Sequence, residues 1–394
     1  MQQNALLGSI PLFSGVLLCA TLLSNTTLAQ PLTAKEIQSL VDSAVKPLMA
    51  EYDIPGMVIG LTIDGQQYFY PYGLSSKATG QSVNKNTLFE IGSISKTFTV
   101  TLANYAKALG KLKLTDRVSE YVPALKGSHF DHINLINLAT HTAGDLPMQV
   151  PENVTNNAEL MAYLQQWQPS FAAGTHRNYA NPSIGLLGMI AAQSLDQSFQ
   201  QALEQSLFPQ LGMTGSYINV PSDKMTEYAQ GYNKQNQPVR VNPGVLADEA
   251  YGVKTSATDL LRFVEANMQM HSLPKPLQTA IDETHTGYFD VGVMIQDMIW
   301  EHYSYPIVLN RLLAGHTQQI VFDSTPVNPI VPPLAPQSNV WINKTGSTGG
   351  FAAYTAFIPS QKLGIVLLSN KNYPVPPRVT VGYQILTGIE KLQK

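Results

Sequence analysis

The sequence predicts an α+β fold, an α/β sandwich in which one antiparallel sheet is flanked by helices and carries an inserted, mostly helical lobe. Three observations carry this. Strand-like runs lie near both ends of the chain, Met57 to Ile63 and Gln67 to Tyr72 at one end, Phe351 to Ile358 and Leu363 to Leu368 at the other. A helical pattern lies outside each set, Ala34 to Glu51 and about 379 to 392. Between them, residues from about 101 to 240 read as helical segments and long loops. Helices segregated beside strands argue for this architecture. The expected division is a sheet lobe from residues 30–100 and 245–394 and a helical lobe from 101–244.

Taken in order, residues 1–29 read as a signal peptide. An apolar stretch from Ala5 to Leu23 ends in Thr27-Leu28-Ala29, a small-residue cleavage site before Gln30. No Lys or Arg precedes the stretch, and a retained membrane anchor is the rival, disfavoured by Pro11 and the polar interruptions. Leu18 directly before Cys19 is a poor fit to a lipoprotein signal. In the first helix, Ile37, Leu40, Val41, Ala44, Val45 and Leu48 recur at three- and four-residue spacing, with Thr33 as N-cap. Asp64-Gly65 turns the first strand into the second. Helices are expected at Ala158 to Trp167, Ile184 to Ser194 and Phe199 to Leu207, and residues 216 to 250 form a long polar loop. A loop of that length in a compact protein is usually functional. Pro359-Ser360 joins the last two strands.

Composition narrows the function. The chain has 394 residues, 44% hydrophobic and only 13% charged, enough for a large core. A net charge of −3 offers no basic field for nucleic acid or acidic membranes, so neither partner is expected. Cys19 is the only cysteine and falls in the expected leader. A mature chain without thiols excludes cysteine nucleophiles, thiolate metal sites and disulfides, so export is inferred from the leader alone. His129 and His132 lack a paired histidine at metal-ligand spacing, and no metal or cofactor is expected.

Three short motifs carry chemistry: Ser93-Ile94-Ser95-Lys96, Tyr179-Ala180-Asn181 and Lys344-Thr345-Gly346-Ser347. Singly they are weak, because Ser-x-x-Lys recurs at Ser43, Ser82 and Ser272 and Tyr-x-Asn at Tyr217. Position separates the copies. Ser43 falls mid-helix and Ser82 in a polar stretch. Ser93 follows Gly92 and precedes Phe98, Leu102, Tyr105 and Leu109, the spacing of a buried helix that stops before Gly110. Ser93 and Lys96 then share one face at the helix start, where unpaired backbone N–H groups favour developing negative charge. A desolvated lysine with a lowered pKa can take the proton of a serine hydroxyl. The bland alternative is that Ser93 caps the helix while Lys96 reaches solvent. Tyr179 and Asn181 occupy a loop entering a helix at Pro182. A buried phenol near two ammonium groups could relay a proton, and Asn181 can both donate and accept towards an amide; an ordinary turn before proline is the alternative. Lys344-Thr345-Gly346 is expected to lead into the strand at 351, where a Gly allows close backbone approach and Lys344 could meet a carboxylate.

With Lys-Thr-Gly third, the order and intervals resemble the serine β-lactamase and penicillin-binding-protein superfamily, and most closely the class C (AmpC-type) β-lactamases. Further stretches carry the resemblance: Tyr52 to Met57, Phe89 to Ser93, Thr140-His141-Thr142-Ala143-Gly144, Asn181 to Leu186, Tyr217 to Pro221, Glu249 to Lys254 and Asn370 to Pro374. It covers almost the whole mature chain. The resemblance implies the β-lactamase/transpeptidase-like fold and a periplasmic, monomeric enzyme that hydrolyses β-lactams, chiefly cephalosporins, through a serine acyl-enzyme. It makes Ser93 the nucleophile, with Lys96 and Tyr179 managing protons and the acylation base left open. Gln149 and Asn181 would bind the side-chain amide, with Tyr251 and the 216–250 loop shaping that pocket. Lys344 and Thr345 would hold the carboxylate, with Asn372 and Arg378 further out. The N–H groups of Ser93 and Ser347, beside Gly346, would form the oxyanion hole.

Four departures stand out. Asp145 and Ile299 occupy positions where such enzymes usually have Gly, Ala180 replaces a frequent Ser, and Val375 replaces an Asn that helps bind the carboxylate. A DD-peptidase forms the same acyl-enzyme and differs little in motifs. Esterases of this fold usually lack Lys-Thr-Gly, which Lys344 argues against. An α/β-hydrolase esterase lacks support, since no Gly-x-Ser-x-Gly elbow occurs.

Overall fold

The C-terminal strands are apolar at nearly every position, and their side chains alternate between two cores. In the computed structural model, which describes Gly8 and residues 32–393, Leu363, Ile365 and Leu367 enter one hydrophobic cluster. Val366 and Leu368, between them in sequence, enter the other. Period-two alternation with apolar residues on both faces means a sheet covered on both sides. The leader expected at residues 1–29 lies, apart from Gly8, outside the described residues.

Among the described residues, nine antiparallel strands build the sheet. They are β1 (Gly56–Ile63), β2 (Gln66–Gly73), β3 (Gly287–Asp290), β4 (Ile295–Gln296), β5 (Glu301–Ser304), β6 (Asn328–Leu334), β7 (Val340–Ser347), β8 (Ala352–Ile358) and β9 (Leu363–Ser369). Their spatial order is β6-β3-β4-β5-β7-β8-β9-β1-β2. The two ends of the chain meet where β1 pairs with β9, Met57 opposite Ser369. That is the closure expected from strands at both termini.

Helix α1 (Ala34–Glu51) has the expected bounds, and the Thr33 side chain accepts from Glu36 N while Glu36 reaches back to Thr33 N. This reciprocal cap satisfies two helix-end donors. The last helix runs over Val375–Leu392 and starts earlier than expected, because Pro376 and Pro377 fall in its first turn, where a missing N–H costs nothing. These two helices pack on each other and share one core with one face of the sheet. Helix Ala257–Asn267 covers the opposite face of β1 and β9.

Helix α2 (Ser95–Ala108) packs against both Asn181–Ser194 and Lys275–Glu283. Its expected last core residue, Leu109, is 43% exposed, since the helix stops at Ala108 and the chain turns. Residues 202–207 form a π-helical stretch within the expected helix at 199–207. The polar region 216–250 is more structured than expected. It holds a small hairpin, Gly231–Tyr232 against Pro238–Val239, and a short helix, Ala247–Tyr251. Among the described residues, no helix is long and apolar enough to cross a membrane.

Candidate active site

Ser93 sits in a 3-10 turn, Gly92–Ile94, that runs directly into α2. Ile91, Ile94 and Phe98 are fully buried and anchor that turn. Three residues on, Lys96 is also fully buried, so the bland alternative of a solvent-seeking lysine fails. Lys96 Nζ donates to Ser93 Oγ at 2.9 Å and to Ala250 O at 2.8 Å. Burial brings the Lys96 ammonium down to about 8; the charge of Tyr179 opposes this, and that of Lys344 adds to it.

Tyr179 is placed by backbone stitching between two loops. Asn178 N donates to His141 O at 2.8 Å, Ala180 N to His141 Nδ1 at 3.2 Å, and Asn181 N to Met148 O at 3.0 Å. The His141 ring lies against the Tyr179 ring, centroids 4.2 Å apart. Burial depresses the imidazole well below its ordinary value, and Arg177, Lys96 and Lys344 add to this, so it stays neutral. Lys96 Nζ and Lys344 Nζ stand 5.1 and 5.2 Å from the centre of the Tyr179 ring. Burial alone would raise the phenol. Lys344, then Lys96, outweigh it, and hydrogen bonding to Ser93 and Lys96 helps bring the phenol down to about 8.

Lys344-Thr345-Gly346-Ser347 lies inside β7, not ahead of β8 as the sequence suggested. Residues 340–347 are a strand in their own right, and 348–351 form the turn into β8. Two glycines let this strand approach the serine turn. A Cβ on Gly346 would meet Ile91 O at 1.9 Å, and one on Gly92, where φ is +50°, would meet Ser347 N at 2.4 Å. No side chain fits either position.

These elements enclose a cleft of about 650 Å³. Ser93, Gln149, Tyr179, Asn181, Tyr251 and Lys344 to Ser347 all line it, with Lys96 beneath Ser93. Asn372 and Arg378 do not. Asn372 Nδ2 donates to Thr348 O at 2.6 Å. Arg378 is fully buried, donating to Gly346 O at 2.6 Å and Ser347 Oγ at 3.0 Å, so it braces β7 from outside the cleft. Val375 is in the wall.

The wall also holds Arg177, Glu301, His316, Val321 and Phe322, none of which the motifs marked. Each is a lone residue without a spacing pattern, and only the fold assembles them. His316 Nε2 meets Asn343 Oδ1 at 3.0 Å, and Asn343 Nδ2 donates to Glu301 O at 3.2 Å. Arg177 Nη2 lies 3.6 Å from Glu301 Oε1. The backbone before Lys344 is therefore held by a buried polar network. Among the described residues, no group of three His, Cys, Asp or Glu side chains is arranged to hold a metal ion.

This serine–lysine–tyrosine geometry coincides with a family match over nearly the whole described chain, for the beta-lactamase model matches residues 41–388. The chain belongs to the β-lactamase family. A beta-lactamase of Pseudomonas fluorescens is 50% identical over 358 residues, covering 91% of this chain and 100% of that protein. A class C beta-lactamase solved in complex with cefoxitin is 52% identical, with a TM-score of 0.88 over 90% of this chain and 99% of that one. A structure from Pseudomonas syringae, described as a beta-lactamase/D-alanine carboxypeptidase, is 53% identical with a TM-score of 0.88, over 89% and 98% of the two chains. In this family member, the two departures from Gly both fall at left-handed backbone, Asp145 at φ +79° and Ile299 at φ +67°. Asp145 Oδ1 accepts from Ser170 N at 3.2 Å, and the Ile299 side chain is buried in the core.

Proposed function

We propose that this protein hydrolyses β-lactams, chiefly cephalosporins, through an acyl-enzyme on Ser93. The observation that carries the proposal is the 2.9 Å contact between Lys96 Nζ and Ser93 Oγ, beside a phenol brought down to about 8. Ser93 Oγ attacks the lactam carbonyl carbon and gives its proton to the Lys96–Tyr179 pair. The developing oxyanion is met by the N–H groups of Ser93 and Ser347, which the two glycines allow to approach each other. The C–N bond breaks, the ring nitrogen takes a proton, and an ester remains. Tyr179, alone or with the freed substrate amine, then takes a proton from water, which attacks the ester; that proton passes to Ser93 Oγ as the ester C–O bond breaks, leaving free Ser93 and a carboxylic acid that ionises. Lys344 and Thr345 hold the substrate carboxylate, and Gln149 and Asn181 hold the side-chain amide.

A second reading is favoured by the Pseudomonas syringae relative, whose description includes D-alanine carboxypeptidase. The same acyl-enzyme would then form on a peptide ending in D-Ala-D-Ala. Turnover of a chromogenic cephalosporin, followed by mass spectrometry of the protein, separates the two. Fast turnover with a transient adduct is expected. A stable adduct without turnover, together with release of D-alanine from the peptide, would establish the carboxypeptidase reading. Loss of the adduct in Ser93→Ala identifies the nucleophile.

The leader pattern at residues 1–29 further supports export to the periplasm with cleavage near Ala29, and we infer a monomer. Intact mass of the exported protein and sedimentation test both.

A further inference from the structure

Glu90 lies three residues before Ser93, in the short strand Phe89–Glu90 that pairs with Lys254–Thr255. It is 1% exposed, and a carboxylate so deeply buried needs hydrogen-bond donors to carry its charge. Lys254, directly opposite in the pairing, donates to Ile218 O at 2.7 Å. The donors to Glu90 come from further along the chain. Oε1 accepts from Tyr228 OH at 2.5 Å and from Val241 N at 2.8 Å, both in the long loop. Oε2 accepts from Thr348 Oγ1 at 2.5 Å, across 258 positions of sequence. Thr348 directly follows Ser347. One carboxylate therefore joins the chain just before Ser93 to the chain just after Ser347.

The link falls where the two backbones need one. Gly92 and Gly346 let the serine turn and the end of β7 approach, but a glycine has no side chain with which to hold that approach. The Phe89 and Phe351 rings also span the gap, edge to face with centroids 6.3 Å apart, and an apolar contact of this kind tolerates small sliding. A hydrogen bond to a carboxylate tolerates it less, because its strength falls with distance and angle. Arg378 braces β7 from outside the cleft through Gly346 O and Ser347 Oγ. The Glu90–Thr348 bond acts from the other direction and ties the same stretch to the serine turn.

We propose that Glu90 and Thr348 are positioning residues that set the separation between the Ser93 and Ser347 N–H groups. The proposal rests on the β-lactam-hydrolysis reading, in which those two groups meet the oxyanion. Neither side chain takes part in proton transfer or in nucleophilic attack. Without the Thr348 hydroxyl, the turn 348–351 moves away from Glu90 and carries Ser347 N with it, so the acyl carbonyl is less polarised. Lys96 and Tyr179 keep their own contacts, so the pH at which a base becomes available stays where it was.

The test follows acylation by a chromogenic cephalosporin at saturating concentration, together with the carbonyl stretch of the acyl-enzyme in rapid-mixing difference infrared spectra. That stretch rises as hydrogen bonds to the carbonyl oxygen weaken. Thr348→Val removes the hydroxyl at nearly constant volume. It should slow acylation about 10-fold, less than the loss of about 10²–10³ typical when an oxyanion donor is deleted outright. It should also raise the carbonyl stretch and leave the rising limb of the pH profile in place. Thr348→Ser, which keeps the hydroxyl, should hold both readouts near wild type. In Glu90→Ala the bond is already broken, so adding Thr348→Val should change neither readout further. An unshifted carbonyl stretch in Thr348→Val, a Thr348→Ser variant as slow as Thr348→Val, or additive effects of the two changes would overturn the proposal. A wild-type protein that forms no acyl-enzyme with the cephalosporin would count instead against β-lactam hydrolysis itself.

Discussion

Ala250 O accepts a hydrogen bond from Lys96 Nζ at 2.8 Å, across 154 positions of sequence. Ala250 lies in the short helix Ala247–Tyr251, whose last residue, Tyr251, lines the cleft. One small element therefore fixes the orientation of the lysine amine and shapes the side-chain end of the site. With a carbonyl on one side and Ser93 Oγ on the other, the amine points at the nucleophile.

Lys96 and Tyr179 both titrate near 8, so they exchange protons as a pair and not as independent groups. Below that range Lys96 is charged and Tyr179 protonated, and neither can accept a proton. Above it a base is present. Single-turnover acylation should therefore rise with pH through about 8 and level off. Lys344 is the stronger of the two cations that lower the phenol. Lys344→Met should move the rising limb upward by about one pH unit, measured at saturating substrate by stopped flow. A limb that stays in place would remove Lys344 from control of Tyr179.

Gly346→Ala should cripple acylation. The new Cβ would meet Ile91 O at 1.9 Å, and backbone on both sides must separate to admit it. Ser347 N then moves away from Ser93 N. Loss of one oxyanion donor costs about 10²–10³ in rate, which pre-steady-state acylation would show. A variant acylating within a few-fold of wild type would exclude that role for Ser347 N–H.

Asn343 immediately precedes Lys344 and accepts from Tyr354 OH at 3.1 Å as well as meeting His316. Asn343→Ala strands these buried groups and Glu301 O. The expected cost is about 2–4 kcal/mol, seen as a drop in thermal midpoint. KM for carboxylate-bearing substrates should rise more than kcat falls, because Lys344 loses its support. Unchanged KM with reduced stability would make the network purely structural.

Ile299 sets burial against backbone strain. A β-branched residue at φ +67° costs about 1–2 kcal/mol, while emptying a fully buried isoleucine site costs about 2–5 kcal/mol. Burial is the larger effect, so Ile299→Gly should destabilise by about 1–3 kcal/mol in denaturant melts. A stabilised variant would show that strain wins.

Local pattern was enough for much of this. The spacing of Ile37, Val41, Val45 and Leu48 and the cap at Thr33 located the first helix to the residue. The strands Gly56–Ile63, Ala352–Ile358 and Leu363–Ser369 were legible because both faces are apolar, and the edge strand Gln66–Gly73 because the Asp64-Gly65 turn leads into it. Gly346 could be read as a point of close approach, but its strand was not read as one, because the apolar run Val340-Trp341-Ile342 is short and the polar Asn343 to Ser347 that complete the strand look like a loop. His316 and Arg177 carried no signal, as isolated polar residues look alike whether they face solvent or a cleft, and Glu301 stood only beside the departure at Ile299 with no role assigned. Arg378 illustrates the converse. It was read as an outer binding residue, and the fold puts it behind β7, away from the cleft.

Sequence alone determined which groups are present and which can be neighbours within one turn or one strand: Ser93 with Lys96, Tyr179 with Asn181, Lys344 with Thr345. Tertiary structure decided how those groups behave. A lysine or phenol near 8 requires loss of solvent and charges a few ångströms away, and both come from segments remote along the chain. Desolvation and Coulomb energy depend on distance in space, which no local spacing encodes.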